Sequence, residues 1–131
     1  ELSDLSRINL TDKEDQIVNK IKKAKTDTLP IPSSIEELKE RPEAKNLLSI
    51  FSSMSETTLE KSIQEFSGKT FSLFKESLTQ ILVDKITPIS SEIEKLLNEK
   101  DYLDEILSEG CKIADQTASK KIEKIHEIMG F

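Results

Sequence analysis

The sequence predicts an all-α fold, a helical bundle of about five helices with two long C-terminal helices. Three observations carry this. Apolar residues recur at three- and four-residue spacing, and no stretch alternates as a strand would. Helix-start signatures recur along the chain. Only three Gly and four Pro occur in 131 residues, so few positions interrupt helical backbone. No internal repeat competes with this reading.

The first helix is expected from about Asp12 to Lys25. Thr11–Glu14 reads as its capping box, and Ile17, Val18, Ile21 and Ala24 line one face. Thr28–Pro32, "TLPIP", breaks it, because each proline removes a donor and pushes its predecessor to extended geometry. "PSSIEELKE" carries a second box, Ser34 to Glu37, and reads as a short helix. Pro42 suits a first helical position, and Leu47, Leu48, Ile50, Phe51 and Met54 form the apolar face behind it. Thr57–Glu60 is a third box, opening a helix lined by Leu59, Ile63 and Phe66 and stopped by a left-handed Gly68.

The first long helix covers about Phe71 to Asn98. Its stripe is Phe71, Phe74, Leu78, Leu82, Ile86, Ile89, Ile93 and Leu96. Pro88 lies inside it and removes the bond to the Asp84 carbonyl, which predicts a kinked but continuous helix. The second long helix starts near Asp101 as cap and stops at Gly130. Its stripe is Leu103, Leu107, Gly110, Ala114, Ala118, Ile125 and Ile128.

Charge is distributed unevenly. The net charge is -6, yet residues 1–27 hold six Lys or Arg against six Asp or Glu, and the remainder holds 13 against 19. A global basic field that would draw nucleic acid is therefore excluded, and any RNA contact needs a local patch. Asn19–Asp27, "NKIKKAKTD", is one such patch, with lysines at 20, 22, 23 and 25. A single cysteine excludes an internal disulfide and favours a reducing compartment. No run of 18 apolar residues and no signal-peptide pattern occurs. The first residue is Glu rather than Met, which leads to the expectation of an excised piece.

Residues with catalytic chemistry are sparse. His126 is the only histidine; it projects off the apolar stripe and is expected on the helix surface. Cys111 sits beside the stripe and is expected to be a buried, inert thiol, since no base is near in sequence. Gly68–Thr70, "GKT", resembles the end of a phosphate loop, but Ile63 stands where the second glycine is needed. Paired carboxylates such as Glu36–Glu37 and Asp104–Glu105 are ordinary helix-surface charges. No metal spacing occurs, and no catalytic, cofactor or metal residue is assigned.

The order of the segments resembles the C-terminal part of tryptophanyl-tRNA synthetases, a family of class I aminoacyl-tRNA synthetases. "DLSRINLTDKEDQIVNKIKKAKTD" at Asp4–Asp27 is similar to the stretch following that family's KMSKS loop, and Lys20–Asp27 fits its "KI-x-x-A-x-TD" pattern. "NLLSIFSSMS" at Asn46–Ser55, "GKTFSLFKESL" at Gly68–Leu78, "DYLDEILSEGCKIAD" at Asp101–Asp115 and the closing "MGF" resemble further segments in the same order. Thr70, Phe71 and Ser72 replace the family's glycine–tyrosine–glycine, and Thr28–Lys45 is more elaborate than in many members. Neither a KMSKS nor a HIGH-type motif is present.

The resemblance implies one C-terminal helical, anticodon-binding domain over residues 1–131. Residues 1–27 would be a connecting segment just after the KMSKS position, and the Rossmann catalytic domain is absent. It implies a parent that attaches tryptophan to its tRNA, with ATP and Mg as substrate and no cofactor in this part. It also implies a homodimeric parent, the family's Rossmann domain and tryptophan tRNA as partners, no membrane, and a bacterial cytoplasm or an organelle as location.

Two sets of candidate residues follow. Lys20, Lys22, Lys23, Lys25 and Asp27 would anchor the KMSKS loop and keep positive potential near phosphates; they also read as a solvated face with a charged closing turn, or as a stand-alone nucleic-acid site. Lys120, Lys121 and Lys124 would contact tRNA phosphates, or lie as snorkelling cations near a helix C-terminus. A rival class, a non-catalytic helical protein-interaction module, fits the same amphipathic faces.

Overall fold

A computed structural model describes residues 3–130; Glu1, Leu2 and Phe131, the last of the "MGF" ending, lie outside the described residues. The order is a 3-10 turn Asp4–Ser6, α1 Glu14–Lys23, a 3-10 helix Glu36–Glu40, α2 Pro42–Met54, α3 Leu59–Phe66, α4 Phe71–Asn98 and α5 Lys100–Met129. No strand occurs among the described residues. The fold is all-α, with the two longest helices last. The chain divides after Ser91 into two compact units.

The first unit holds the core. Ile17 and Ile21 of α1, Leu47, Leu48 and Phe51 of α2, Ile63 and Phe66 of α3, and Phe71, Phe74, Leu78 and Leu82 of α4 are buried together. Phe74 is its centre: fully buried, with ring centroids of Phe66 and Phe51 at 4.9 and 5.7 Å. Phe51 and Phe66 meet edge to face at 4.9 Å, an arrangement that the ring quadrupole favours.

Several helix starts differ from expectation by one or two residues. α1 is capped at Lys13, not Thr11: the Lys13 backbone N–H donates to Gln16 Oε1 at 2.8 Å. Asp12 is unavailable to the helix because it is engaged elsewhere. α3 is capped by Thr58, not Thr57, through a bond from the Lys61 N–H to Thr58 Oγ1 at 3.3 Å. Ser34 and Glu37 do interact, but the element that they open is 3-10 rather than α. α5 is capped at Glu99 rather than Asp101. Pro42 does open α2, and Gly68 takes the expected left-handed backbone, φ +72°. There the Gly68 N–H donates to the Ile31 carbonyl at 3.0 Å, and the Ile31 N–H to the Lys69 carbonyl at 2.9 Å, so the proline-rich segment is stitched to the α3–α4 turn.

α4 runs unbroken through Pro88. Its stripe is buried through Ile86, but Ile89 is exposed and Ser90 is buried in its place. Four residues after Ile86 return to the same face, and three do not quite reach it.

In α5 no residue is buried. Leu103 is half-buried, and Leu107, Gly110, Ala114, Ala118, Ile125 and Ile128 are exposed. Cys111 is exposed as well, against the expectation of a buried thiol. That expectation fails because an apolar stripe was read as a covered one. Gly130, at φ +80°, ends the helix and donates its N–H to the His126 carbonyl at 2.9 Å. His126 is exposed, as expected.

Candidate functional site

The lysine-rich stretch resolves into four different environments. Lys20 is 5% exposed, and its Nζ donates to Asp12 Oδ2 at 2.7 Å. Asp12 is itself 4% exposed. A second carboxylate, Asp4, reaches the same Nζ at 3.1 Å from the solvent side. Asn9 completes the group: its backbone N–H donates to Asp12 Oδ2 at 2.8 Å, and its Nδ2 donates to Asp4 Oδ1 at 3.1 Å. The result is a clasp that ties residues 4–12 onto α1.

The clasp is electrostatically self-consistent. Burial pushes the Asp12 carboxyl up, but the Lys20 ammonium and the Asn9 donors outweigh it, and the group lies below the usual carboxylate range. Asp4 is lowered mainly by its hydrogen bond to Lys20. Burial lowers Lys20, yet two carboxylates reverse that, and its affinity for a proton is raised.

A second tie follows α1. Arg41 grips Asp27 in two-pronged fashion, Nε to Oδ2 at 2.8 Å and Nη2 to Oδ1 at 2.6 Å. Its Nη1 donates to the Pro30 carbonyl at 2.9 Å, and its guanidinium lies 5.7 Å from the Phe71 ring centroid. The planar fork suits this bidentate geometry, and it holds Asp27 below its ordinary value. Lys75 of α4 donates to the Ala24 carbonyl at 2.6 Å, satisfying the end of α1, and burial lowers its proton affinity. Lys25 pairs with Glu43 at 3.2 Å on the exposed surface. Lys22 and Lys23 face solvent.

Of the first candidate set, then, Lys20 and Asp27 sit in structural ties, Lys25 in a surface pair, and Lys22 and Lys23 on open surface. Asp4, Asn9, Asp12, Arg41 and Lys75 were not singled out in the sequence. Asp12 precedes α1 while Lys20 lies within it, so no helix-face spacing linked the two in the sequence. Arg41 and Asp27 meet only through the tertiary fold.

The second set lies in the C-terminal third of α5. Lys120, Lys121 and Lys124 are all exposed. Residues 116–126 hold these three lysines and one acid, Glu123, whereas residues 101–109 hold four acids and no base. α5 is therefore acidic at its start and basic near its end. No group of three or more His, Cys, Asp or Glu able to hold a metal occurs among the described residues, and no helix is long and apolar enough to cross a membrane.

No family model matches the chain. Curated relatives do. A tryptophan–tRNA ligase of Agrobacterium fabrum is 44% identical over 129 residues, covering 98% of this chain and 36% of the relative. The chain is homologous to part of the tryptophan–tRNA ligases. A ligase of the same name from Rhizobium meliloti is 41% identical over 129 residues, again with 98% and 36% covered. One from Rickettsia felis is 44% identical over 131 residues, covering 100% of this chain and 39% of the relative. The match thus runs through both compact units, while the chain spans little more than a third of these ligases.

Proposed function

We propose that the chain is the C-terminal helical part of a tryptophan–tRNA ligase, and that it serves aminoacylation by holding tRNA rather than by performing chemistry. One observation carries this: 41–44% identity along 98–100% of the chain to proteins of that name, over 36–39% of their length. In this reading the remainder of the parent binds ATP with Mg, activates tryptophan in the cytoplasm and forms the homodimer. The anticodon region of the tRNA meets α5 through Lys120, Lys121 and Lys124. Residues 1–27 connect to the KMSKS loop. The clasp of Asp4, Asn9, Asp12 and Lys20 and the Arg41–Asp27 grip support that role, because they turn both ends of α1 into fixed points. Lys22, Lys23 and Lys25 add positive potential beside it.

The test is tRNA binding by the full-length ligase with Lys120, Lys121 and Lys124 all changed to Ala. Each lost phosphate contact removes a slope of roughly 0.7 to 0.9 in log affinity against log salt. Weaker binding and a slope shallower by about 2 to 3 units are expected, with tryptophan activation intact. Unchanged affinity and slope would reduce the three lysines to ordinary surface charge.

A further inference from the structure

Pro88 leaves a joint in α4, and the residue before it offers a second way to close that joint. Inside an α-helix the Asp84 carbonyl accepts from the N–H four residues on, but that residue is Pro88, which has none. Thr87 has the opposite defect: its Oγ1 is buried and makes no hydrogen bond. Other hydroxyls in the helices do bond backward. Thr117 Oγ1 donates to the Ile113 carbonyl at 2.9 Å, and Ser62 Oγ to the Thr58 carbonyl at 3.2 Å. In α4, an acceptor without its helical donor and a donor without an acceptor thus lie three residues apart. A threonine hydroxyl can reach back over that spacing. Such back-bonding bends helices, and proline is where sharp bends occur.

The turn before Pro88 is anchored. Lys85 Nζ donates to Glu56 Oε1 at 2.9 Å, which ties α4 to the turn between α2 and α3, and Ile86 is 5% exposed in the core. Just past the proline the buried face changes character, because Ile89 is 44% exposed and Ser90 is 6% exposed. A serine contributes little apolar area, so burial resists a local shift of this turn less than it would with an isoleucine in place. Ser90 is also the last buried residue of α4, and the first compact unit ends one residue later at Ser91. The joint therefore sits at the last turn of α4 that the core holds.

We propose that α4 has two conformations: the one above, with Thr87 Oγ1 unpaired, and a second, bent at Pro88, in which Thr87 Oγ1 donates to the Asp84 carbonyl. The arm from Pro88 to Leu97 is about 13 Å long, so a bend of about 30° displaces its end by about 7 Å. In the function proposed above, this arm leads on to the lysines of α5, and the bend is a means of presenting them to tRNA. The bend itself does not rest on that reading, and no RNA enters the test. The measurement is double electron–electron resonance on the 131-residue chain carrying Cys111→Ser. One spin label is placed at Leu97→Cys and the other at Lys45→Cys of α2 or Lys61→Cys of α3, all exposed positions. At least one pair should show two distances, separated by about 5 Å or more. Thr87→Val keeps the shape and removes the donor, and should lower the ratio of bent to unbent form about fivefold, the weight of one net hydrogen bond. Pro88→Ala returns an N–H to the Asp84 carbonyl and should leave only the unbent form. A single narrow distance for both pairs, or two populations that either variant leaves unchanged, would overturn the proposal.

Discussion

At the residue scale, the lysine-rich stretch shows why a charge run needs its partners before it can be read. Lys20, Lys22, Lys23 and Lys25 look alike in sequence, yet Lys20 is a buried tie and Lys22 and Lys23 are free surface. The difference lies in Asp12 and Asp4, which precede the helix and return to it. The same clasp has a pH signature. The Asp4 and Asp12 carboxyls are held below their ordinary values, so their contribution is complete above about pH 4 and is lost as pH falls through the lowered folded values. Lys20 is raised, so its contribution is complete below about pH 10 and is lost only above that. Lys20→Met should therefore cost about 2 kcal/mol near neutrality, the scale of a buried charged partner left unmade. Without Lys20, only the Asn9 donors oppose the burial that pushes the Asp12 carboxyl up, so Asp12 is held down less and the gap to wild type should narrow as pH falls toward 3. Urea melts of both proteins from pH 3 to 8 check this; a gap constant across that range would refute the clasp.

At the element scale, helix existence was legible and helix boundaries were less so. α4 matches its expected span because a long stripe begins at a core phenylalanine and ends in a polar segment. Caps slipped by one or two residues because Thr57 and Thr58 offer the same hydroxyl, and only the approach of the chain chooses between them. The exchange of Ile89 for Ser90 in the buried face follows from helix rotation, which outweighs hydropathy one turn past the core. Gly68 was readable because the turn after α3 needs a backbone that side chains oppose. Gly68→Ala meets no neighbour within 4 Å, so its cost is conformational alone, about 1 to 2 kcal/mol. A guanidinium melt should show that loss with an unchanged slope, since the core is untouched. Equal stability would mean that the Ile31–Gly68 bond does not fix this turn.

At the scale of the whole molecule, the sequence showed which faces are apolar but not what covers them. The first unit buries its stripes among four helices, while α5 has an apolar stripe and no buried residue. Cys111 was misread for that reason. The same distinction bears on activity. Activating an amino acid with ATP requires donors aimed at the charge that develops on the phosphates, and such preorganised groups usually supply the largest catalytic contribution. The cations fixed in this chain are already spent: Lys20 on Asp12 and Asp4, Arg41 on Asp27, Lys75 on the α1 carbonyls. The remaining lysines named here are exposed, where water screens them. The 131-residue chain by itself should therefore show no tryptophan-dependent exchange of pyrophosphate into ATP above a boiled control. Exchange that depends on tryptophan and disappears on boiling would place activating groups within these helices, and would overturn the division between a tRNA-holding part and a catalytic remainder.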